Sequence, residues 1–393
     1  MDAGAFGRFV GSPLSPLAPF TLCMSSNRFA KLFTDTTVIA GELGTLNPRP
    51  VLADSLYSSF SCGKAVCALL LHILANKGFL SLDENVSAFW PAFSSHGKGQ
   101  VTVRHILEHR SGLSGYAPVG ATVKTLLDYD AMATGLEHAQ PTEPVGTAAY
   151  HALSYGWCVG AVAQRAVARQ IGSLPSFGDL LREHIVVPLG LDGQLFAGLP
   201  AEGSEQAKRW SVYERLTSCT ITRAGNTTGD LFDDVASSSG DGFALDPRVF
   251  NDPVVRRANI AAANVHFTAH ALATIYASLS GCASVPQLLP PTHCEMIQRE
   301  VQASKRCPWP VGFHPFRFDS GEVCGFGFNG LWNSTGLCVR AQGGLALSVL
   351  VNTYTMEGEA ARRVLDHVFS SRGYGVVQDH GLGGVSLTDD AAE

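Results

Sequence analysis

Ser61 and Lys64 stand three residues apart in the run Phe60-Ser61-Cys62-Gly63-Lys64, and on a helix that spacing places both side chains on one face, about 5–6 Å apart. An amine at that distance can reach the hydroxyl. Serine is a weak nucleophile until a base takes its proton, and a lysine desolvated in apolar surroundings loses basicity enough to serve. A helix N-terminus adds free backbone N–H groups and the positive end of the dipole, which can hold a developing oxyanion. A second copy of the pattern, Ser95-His96-Gly97-Lys98, shows how little spacing alone decides. The alternative for either copy is a capping serine beside a solvated lysine. Gly97 and Gly99 put the second copy in a turn, and that plain reading is expected there. Lys64 instead opens a segment so apolar that a merely solvated lysine would sit badly in it.

The element that must carry Ser61 reads as a helix. Val66, Leu69, Leu70, Ile73 and Leu74 fall at i, i+3, i+4 spacing, and Gly78 supplies a stop. Further helices are predicted from Thr102 to His109, from Ser154 through Val167, from Ser176 to before Pro188, over 264–281 with Leu272, Ile275 and Leu279 on one side, and over 357–371. Residues 1–35 read as irregular because Pro13, Pro16 and Pro19 interrupt them. Residues 200–250 are polar and hard to assign, and the 35 residues after Gly281 are Pro-rich and irregular. The segments CGFGFNGLW, GLCVRA and LALSVLVNTY are short, apolar and parted by Gly-containing turns, as antiparallel strands are. A helix-dense middle followed by a strand-rich end implies an α+β layout with catalytic groups drawn from both parts.

The chain of 393 residues is 46% apolar and carries 28 basic against 34 acidic residues, the profile of a globular protein with no basic surface for tracking phosphates. Nucleic acid is not an expected partner. Apolar runs are interrupted well short of the roughly 20 residues that a bilayer requires, so no membrane span is expected. The ten cysteines are scattered without a Cys-x-x-Cys pair and are expected as buried thiols in a reducing compartment. No secretory signal is read in the first 34 residues; their single acid, Asp2, keeps a mitochondrial address as the alternative to a cytoplasmic one. No Gly-x-Ser-x-Gly elbow occurs. His266 and His270, at i, i+4 on a predicted helix, have no acidic partner of zincin type, and no metal or other cofactor is expected.

The segments FSCGKAVCALLLHILANKGFLSLDENVSAFWPAF and VTVRHILEHRSGL resemble the β-lactamase-like serine esterases, related to class C β-lactamases and penicillin-binding proteins. In that family the nucleophile-bearing helix leads through a Gly-Leu-Leu-x-Leu-Asp segment to Trp-Pro and then to a His-Thr-Ser-Gly-Leu turn. The likeness continues through PVGTAAYHALSYGWCVGAVAQR, REHIVVPLGLDGQLFAGLP and AAANVHFTAHALATIYASLSG to the strands at 325–352. It spans residues 36 to 370 or so. It implies Ser61 as nucleophile, Lys64 as its helix partner and Tyr150 as the catalytic tyrosine. Tyr150 is followed at the second position by Ala152, where class C β-lactamases have Asn; Tyr-His-Ala-Leu is the esterase form, and His151 is counted with the substrate-binding residues. Phe328-Asn329-Gly330 stands where lactamases carry Lys-Thr-Gly and many of these esterases His-x-Gly. Leu331 matches the second oxyanion donor through its N–H, beside that of Ser61.

The resemblance implies a penicillin-binding transpeptidase-like fold, an antiparallel sheet flanked by helices with an inserted helical domain. The expected division is a discontinuous sheet domain, 1–70 and 250–375, a helical domain, 71–249, and a disordered tail, 376–393. The first strands look reduced, so the sheet is expected to lack one or to build it differently. The expected activity is hydrolysis of a small-molecule carboxylic ester through a Ser61 acyl-enzyme. A β-lactamase or D-alanyl peptide hydrolase using the same residues, and a non-catalytic binding protein on the same fold, are the alternatives. Oligomeric state is not legible.

Overall fold

The computed structural model describes residues 20–26, 36–40, 42–43, 48–116, 123–221, 247–318, 320–330, 334–339, 345–354, 359–370 and 377–379. The strands in chain order are β1 (Phe20–Ser26), β2 (Thr36–Ala40), β3 (Tyr57–Ser58), β4 (Leu195–Ala197), β5 (Thr220–Ile221), β6 (Val265–Phe267), β7 (His314–Phe318), β8 (Val323–Asn329), β9 (Thr335–Val339), β10 (Leu345–Val351), β11 (Thr353–Tyr354) and β12 (Val377–Asp379). Seven form one sheet in the order β12-β7-β8-β9-β10-β1-β2. Every pairing in it is antiparallel, and β1 docks on β10 over its whole length, Phe20 opposite Val351 and Ser26 opposite Leu345. Both ends of the described chain thus build one sheet, as the resemblance implied. A three-stranded ribbon, β3-β6-β4, lies apart from it.

Five longer helices organise the rest: α1 (Cys62–Asn76), α2 (Ser154–Ile171), α3 (Ala269–Ser280), α4 (Pro291–Ala303) and α5 (Glu359–Ser370). All residues of α1 from Cys62 to Leu74 are buried, so the helix is enclosed on every side instead of presenting one apolar stripe. It packs against α2 on one side and β8 on another. Such approach needs small residues. A Cβ on Gly63 would lie 2.5 Å from the Ala261 carbonyl oxygen, and one on Gly156 of α2 the same distance from the Ala262 nitrogen. The Ala261-Ala262-Ala263 segment is thereby wedged between the two helices. It is held by Asn264, whose Nδ2 donates to the Val255 and Ala258 carbonyls at 2.6 and 2.8 Å.

Several expectations need correction. The irregular reading of residues 1–35 misses β1, because prolines at 13, 16 and 19 say nothing about the seven residues after them. The 264–281 segment divides into β6 and α3, separated by Thr268, whose side chain caps α3 by accepting the Ala271 N–H. His266 and His270 therefore stand on different elements. The Pro-rich stretch after Gly281 contains the 13-residue helix α4, with Pro291 at its first position, where a missing N–H is harmless and a fixed φ helps. The domain boundary at 70/71 falls inside α1, and β4 and β5 lie within the span expected to be helical. Within the expected disordered tail, 377–379 form β12; the rest of that tail lies outside the described residues. One large apolar cluster runs from Leu43 to Phe369 through sheet and helices alike. Among the described residues, no helix is long and apolar enough to cross a membrane.

Candidate active site

Strand β3 runs directly into the turn that delivers Ser61. Ser59 anchors that turn to β6, donating to the Val265 carbonyl from both its N–H, at 3.2 Å, and its Oγ, at 3.0 Å. Phe60 then takes a positive φ of 49°, a strained conformation for an aromatic residue. The chain enters α1 at once. The N–H groups of Cys62 and Gly63 bond to the Ser59 and Phe60 carbonyls, while that of Ser61 has no hydrogen-bond partner among the described residues. A free donor at the nucleophile position is what an oxyanion site requires.

Lys64 is fully buried, and Ser61 is 9% exposed. The Lys64 Nζ lies 3.1 Å from Ser61 Oγ, 2.8 Å from the Ala152 carbonyl and 3.0 Å from the Ala262 carbonyl. Burial pulls its ammonium down from 10.5 to about 7. The partner set matters as much as the burial. Carbonyl oxygens only accept, so a neutral Lys64 must spend its two N–H bonds on Ala152 and Ala262. Its lone pair is then left facing the one partner with a proton to give, the Ser61 hydroxyl.

Tyr150 closes the triangle, with its OH 2.7 Å from Ser61 Oγ and Lys64 Nζ 4.8 Å from its ring centroid. Burial raises the phenol well above its ordinary 10, against a smaller lowering by the bond to Ser61. Tyr150 thus stays protonated and donates. Trp309 covers its ring, centroids 5.1 Å apart. Cys62, the neighbour of Ser61, is no rival nucleophile. Burial lifts its thiol to about 12, and its Sγ points to the Phe328 carbonyl at 3.6 Å.

The third segment lies beside the Ser61 turn. A Cβ on Gly330 would sit 2.4 Å from the Ser59 carbonyl oxygen and 3.4 Å from Cys62 Sγ, so only glycine lets the end of β8 close on the Ser61 turn. Phe328, expected among the substrate-binding residues, is instead 3% exposed and belongs to the main core, and the Asn329 Oδ1 accepts from the Thr335 hydroxyl. Leu331 lies outside the described residues. His151 is corrected. It is fully buried, its Nδ1 meets the Ala149 carbonyl at 2.6 Å, and its Nε2 receives the Ser111 hydroxyl at 2.7 Å and the Leu113 N–H at 3.3 Å. Both ring nitrogens are occupied by protein. Burial lowers the ring to about 4, which leaves a neutral brace for the Tyr150 loop in place of a substrate contact.

Sequence reasoning missed the two carbonyls that orient Lys64. Ala152 follows Tyr150 by two residues, and Ala262 sits at the centre of an Ala-Ala-Ala-Asn run whose small side chains were the available signal. The second Ser-x-x-Lys also departs from expectation, for Lys98 is fully buried. Its Nζ donates to the Ser95 and Ala139 carbonyls at 2.9 and 2.5 Å. Among the described residues, no group of His, Cys, Asp or Glu could hold a metal ion.

A family model described as Beta-lactamase matches residues 36–368. The esterase/beta-lactamase LipL of Mycobacterium tuberculosis is 29% identical over 308 residues, which make up 73% of this chain and 67% of that protein. Penicillin-binding protein 4* of Bacillus subtilis is 26% identical over 147 residues, 37% of this chain and 31% of the relative. Among solved structures, a family VIII carboxylesterase superposes with a TM-score of 0.69 at 21% identity, covering 90% of both chains. A penicillin-binding protein homologue from Caulobacter crescentus gives 0.67 at 25% identity, covering 90% of this chain and 92% of the other.

Proposed function

Because the chain belongs to the beta-lactamase family of serine hydrolases, we propose that it cleaves small carboxylic esters through an acyl-enzyme on Ser61. The observation that carries the reading is the partner set of Lys64, two carbonyls and one hydroxyl around a buried amine. Neutral Lys64 takes the Ser61 proton as Oγ attacks the ester carbonyl, and the C–O bond being formed puts negative charge on the carbonyl oxygen. The Ser61 N–H meets that charge, with the N–H of Leu331 as the proposed second donor. Collapse of the tetrahedral intermediate breaks the bond to the alcohol. The proton taken from Ser61 is delivered to the leaving oxygen by the Lys64–Tyr150 pair, both of which lie within hydrogen-bond reach of Ser61 Oγ. Water then repeats the cycle on the acyl-enzyme, with Lys64 again as base.

The choice of a neutral ester rests on β8. Where an anionic β-lactam would need a cation, the strand offers Phe328, an aromatic side chain turned into the core. Charge-assisted hydrogen bonds contribute about 1.5–3 kcal/mol, and a neutral ester forgoes nothing by their absence. The name of LipL, an esterase/beta-lactamase, makes β-lactam hydrolysis the second reading. Comparing kcat/KM for aryl acetate to butyrate esters with that for a cephalosporin, in wild type and Ser61→Ala, tests both. The expected result is faster ester turnover, lost in the variant. A cephalosporin consumed faster than the ester overturns the substrate choice, and full activity in Ser61→Ala overturns the mechanism.

A further inference from the structure

We infer that His109 is a positioning residue that sets the Tyr150 hydroxyl on Ser61 by bracketing Tyr150 in the chain and packing against its ring. The inference rests on the catalytic reading of Tyr150 given above. His109 takes a positive φ of 56°, which turns its carbonyl and its side chain toward the same neighbouring segment. The carbonyl accepts the Ala149 N–H at 2.9 Å, and the Nδ1 accepts the His151 N–H at 2.9 Å. Tyr150 is the one residue between those two anchors. Its ring lies 4.8 Å from the imidazole, centroid to centroid.

The imidazole is itself immobilised. It is fully buried, stacked on Tyr155 at 4.5 Å and at 62° to Trp309 at 4.6 Å. A backbone N–H can only donate, so Nδ1 carries no proton and the neutral ring bears its hydrogen on Nε2. Burial, His151 and Lys64 all oppose a charge on it. Among the described residues, His109 touches neither Ser61 nor Lys64 through a hydrogen bond, so its influence on the reaction passes through Tyr150.

A mutant cycle tests this. His109→Ala should lower kcat for an aryl ester roughly tenfold to a hundredfold with KM unchanged, the scale of a catalytic group misplaced by about 1 Å. In a Tyr150→Phe background the same change should cost less than about threefold, because the hydroxyl it positions is gone. His109→Asn, which tolerates positive φ and offers an oxygen where Nδ1 stood, should recover most of the lost kcat. Equal losses in both backgrounds, a loss seen in KM instead of kcat, or an Asn variant no better than Ala would overturn the inference. If His109→Ala does not fold, His109→Phe, which keeps a ring and lacks the acceptor, takes its place in the cycle and is read in the same way. A Tyr150→Phe enzyme as active as wild type would instead overturn the role of Tyr150, and the inference with it.

Discussion

Two copies of Ser-x-x-Lys lie in one chain, and both lysines are fully buried. They differ in what surrounds the amine. Lys98 is ringed by the carbonyls of Ser95, Glu137 and Ala139, with the Ser95 Oγ at 3.4 Å. The Ser95 hydroxyl spends its own proton on the Glu137 carbonyl. Burial lowers both lysines, yet a neutral Lys98 would turn its lone pair on carbonyl oxygens. Lys98 is therefore held as a cation and pins the turn after Pro91 to the segment after the Tyr129–Gly135 helix. Lys64 has two carbonyls and a hydroxyl, so it can give up its proton and take another from Ser61. Chemistry follows from the partners that complete the motif. Tyr150, present at one serine and without a counterpart at the other among the described residues, completes the contrast.

The comparison is broken most easily at the serines. Ser61→Ala should reduce aryl-ester turnover by roughly 10³-fold or more, as loss of one member of a catalytic unit does. Ser95→Ala should leave kcat/KM of the folded enzyme unchanged and cost at most about 1.5 kcal/mol of stability in a urea titration. Equal losses of activity would erase the distinction.

At the proton-handling groups, Lys64→Ala and Tyr150→Phe should each lower kcat by about 10² to 10⁴, and the double variant little more than the worse single one. Steady-state kinetics on the three enzymes decides this, since losses that add fully in free energy would contradict a shared network. Gly330→Ala tests the close approach that frames the first copy. With 2.4 Å to the Ser59 carbonyl, the strand must retreat, and a fall in kcat of roughly tenfold or more is expected. An unchanged kcat would mean that the end of β8 has no part in the reaction. The smallest effect on activity belongs to Lys98→Met. Stability should fall by about 1–3 kcal/mol for carbonyls left without a donor, while kcat per folded molecule stays at the wild-type value; denaturant midpoints and kinetics on the same sample separate the two.

What the sequence made legible was the helical frame and the pairing of Ser61 with Lys64, because α1 and α2 are long apolar segments closed by Gly78 and Gly172 and the motif lies within three residues. The strands β8 to β10 were legible as short apolar runs parted by Gly-containing turns. The ends of the sheet were not. β1 follows three prolines, and β12 is three residues long in a Gly-rich stretch, so neither offers a pattern above its surroundings. Helix α4 was hidden by Pro290 and Pro291, which mark a helix start as readily as a loop. At the site, the sequence shows which side chains are present and not which carbonyls face them. Ala152 and Ala262 contribute only their backbone, and the burial of Lys98 depends on a contact with residues 137–139 some forty positions away. His109 is read in the sequence as a helix end and His151 as a substrate contact, and only the hydrogen bonds show one bracketing Tyr150 and the other bracing its loop.

The burial of Lys64 also fixes a direction with pH. Its folded value is lowered to about 7 from 10.5, so between those two values the unfolded chain holds a proton that the folded chain has released, and stability rises with pH across that window. The base form of the enzyme gains over the lower part of the same range. The most direct test is therefore the rate at which a fluorophosphonate labels the protein from roughly pH 5 to pH 9, with the adduct located by peptide mass spectrometry. The account predicts a single adduct on Ser61 whose rate of formation rises with pH through about 7, with a one-proton slope, and then levels. An adduct on Ser95, no adduct at all, or a Ser61 rate flat across that range would contradict it.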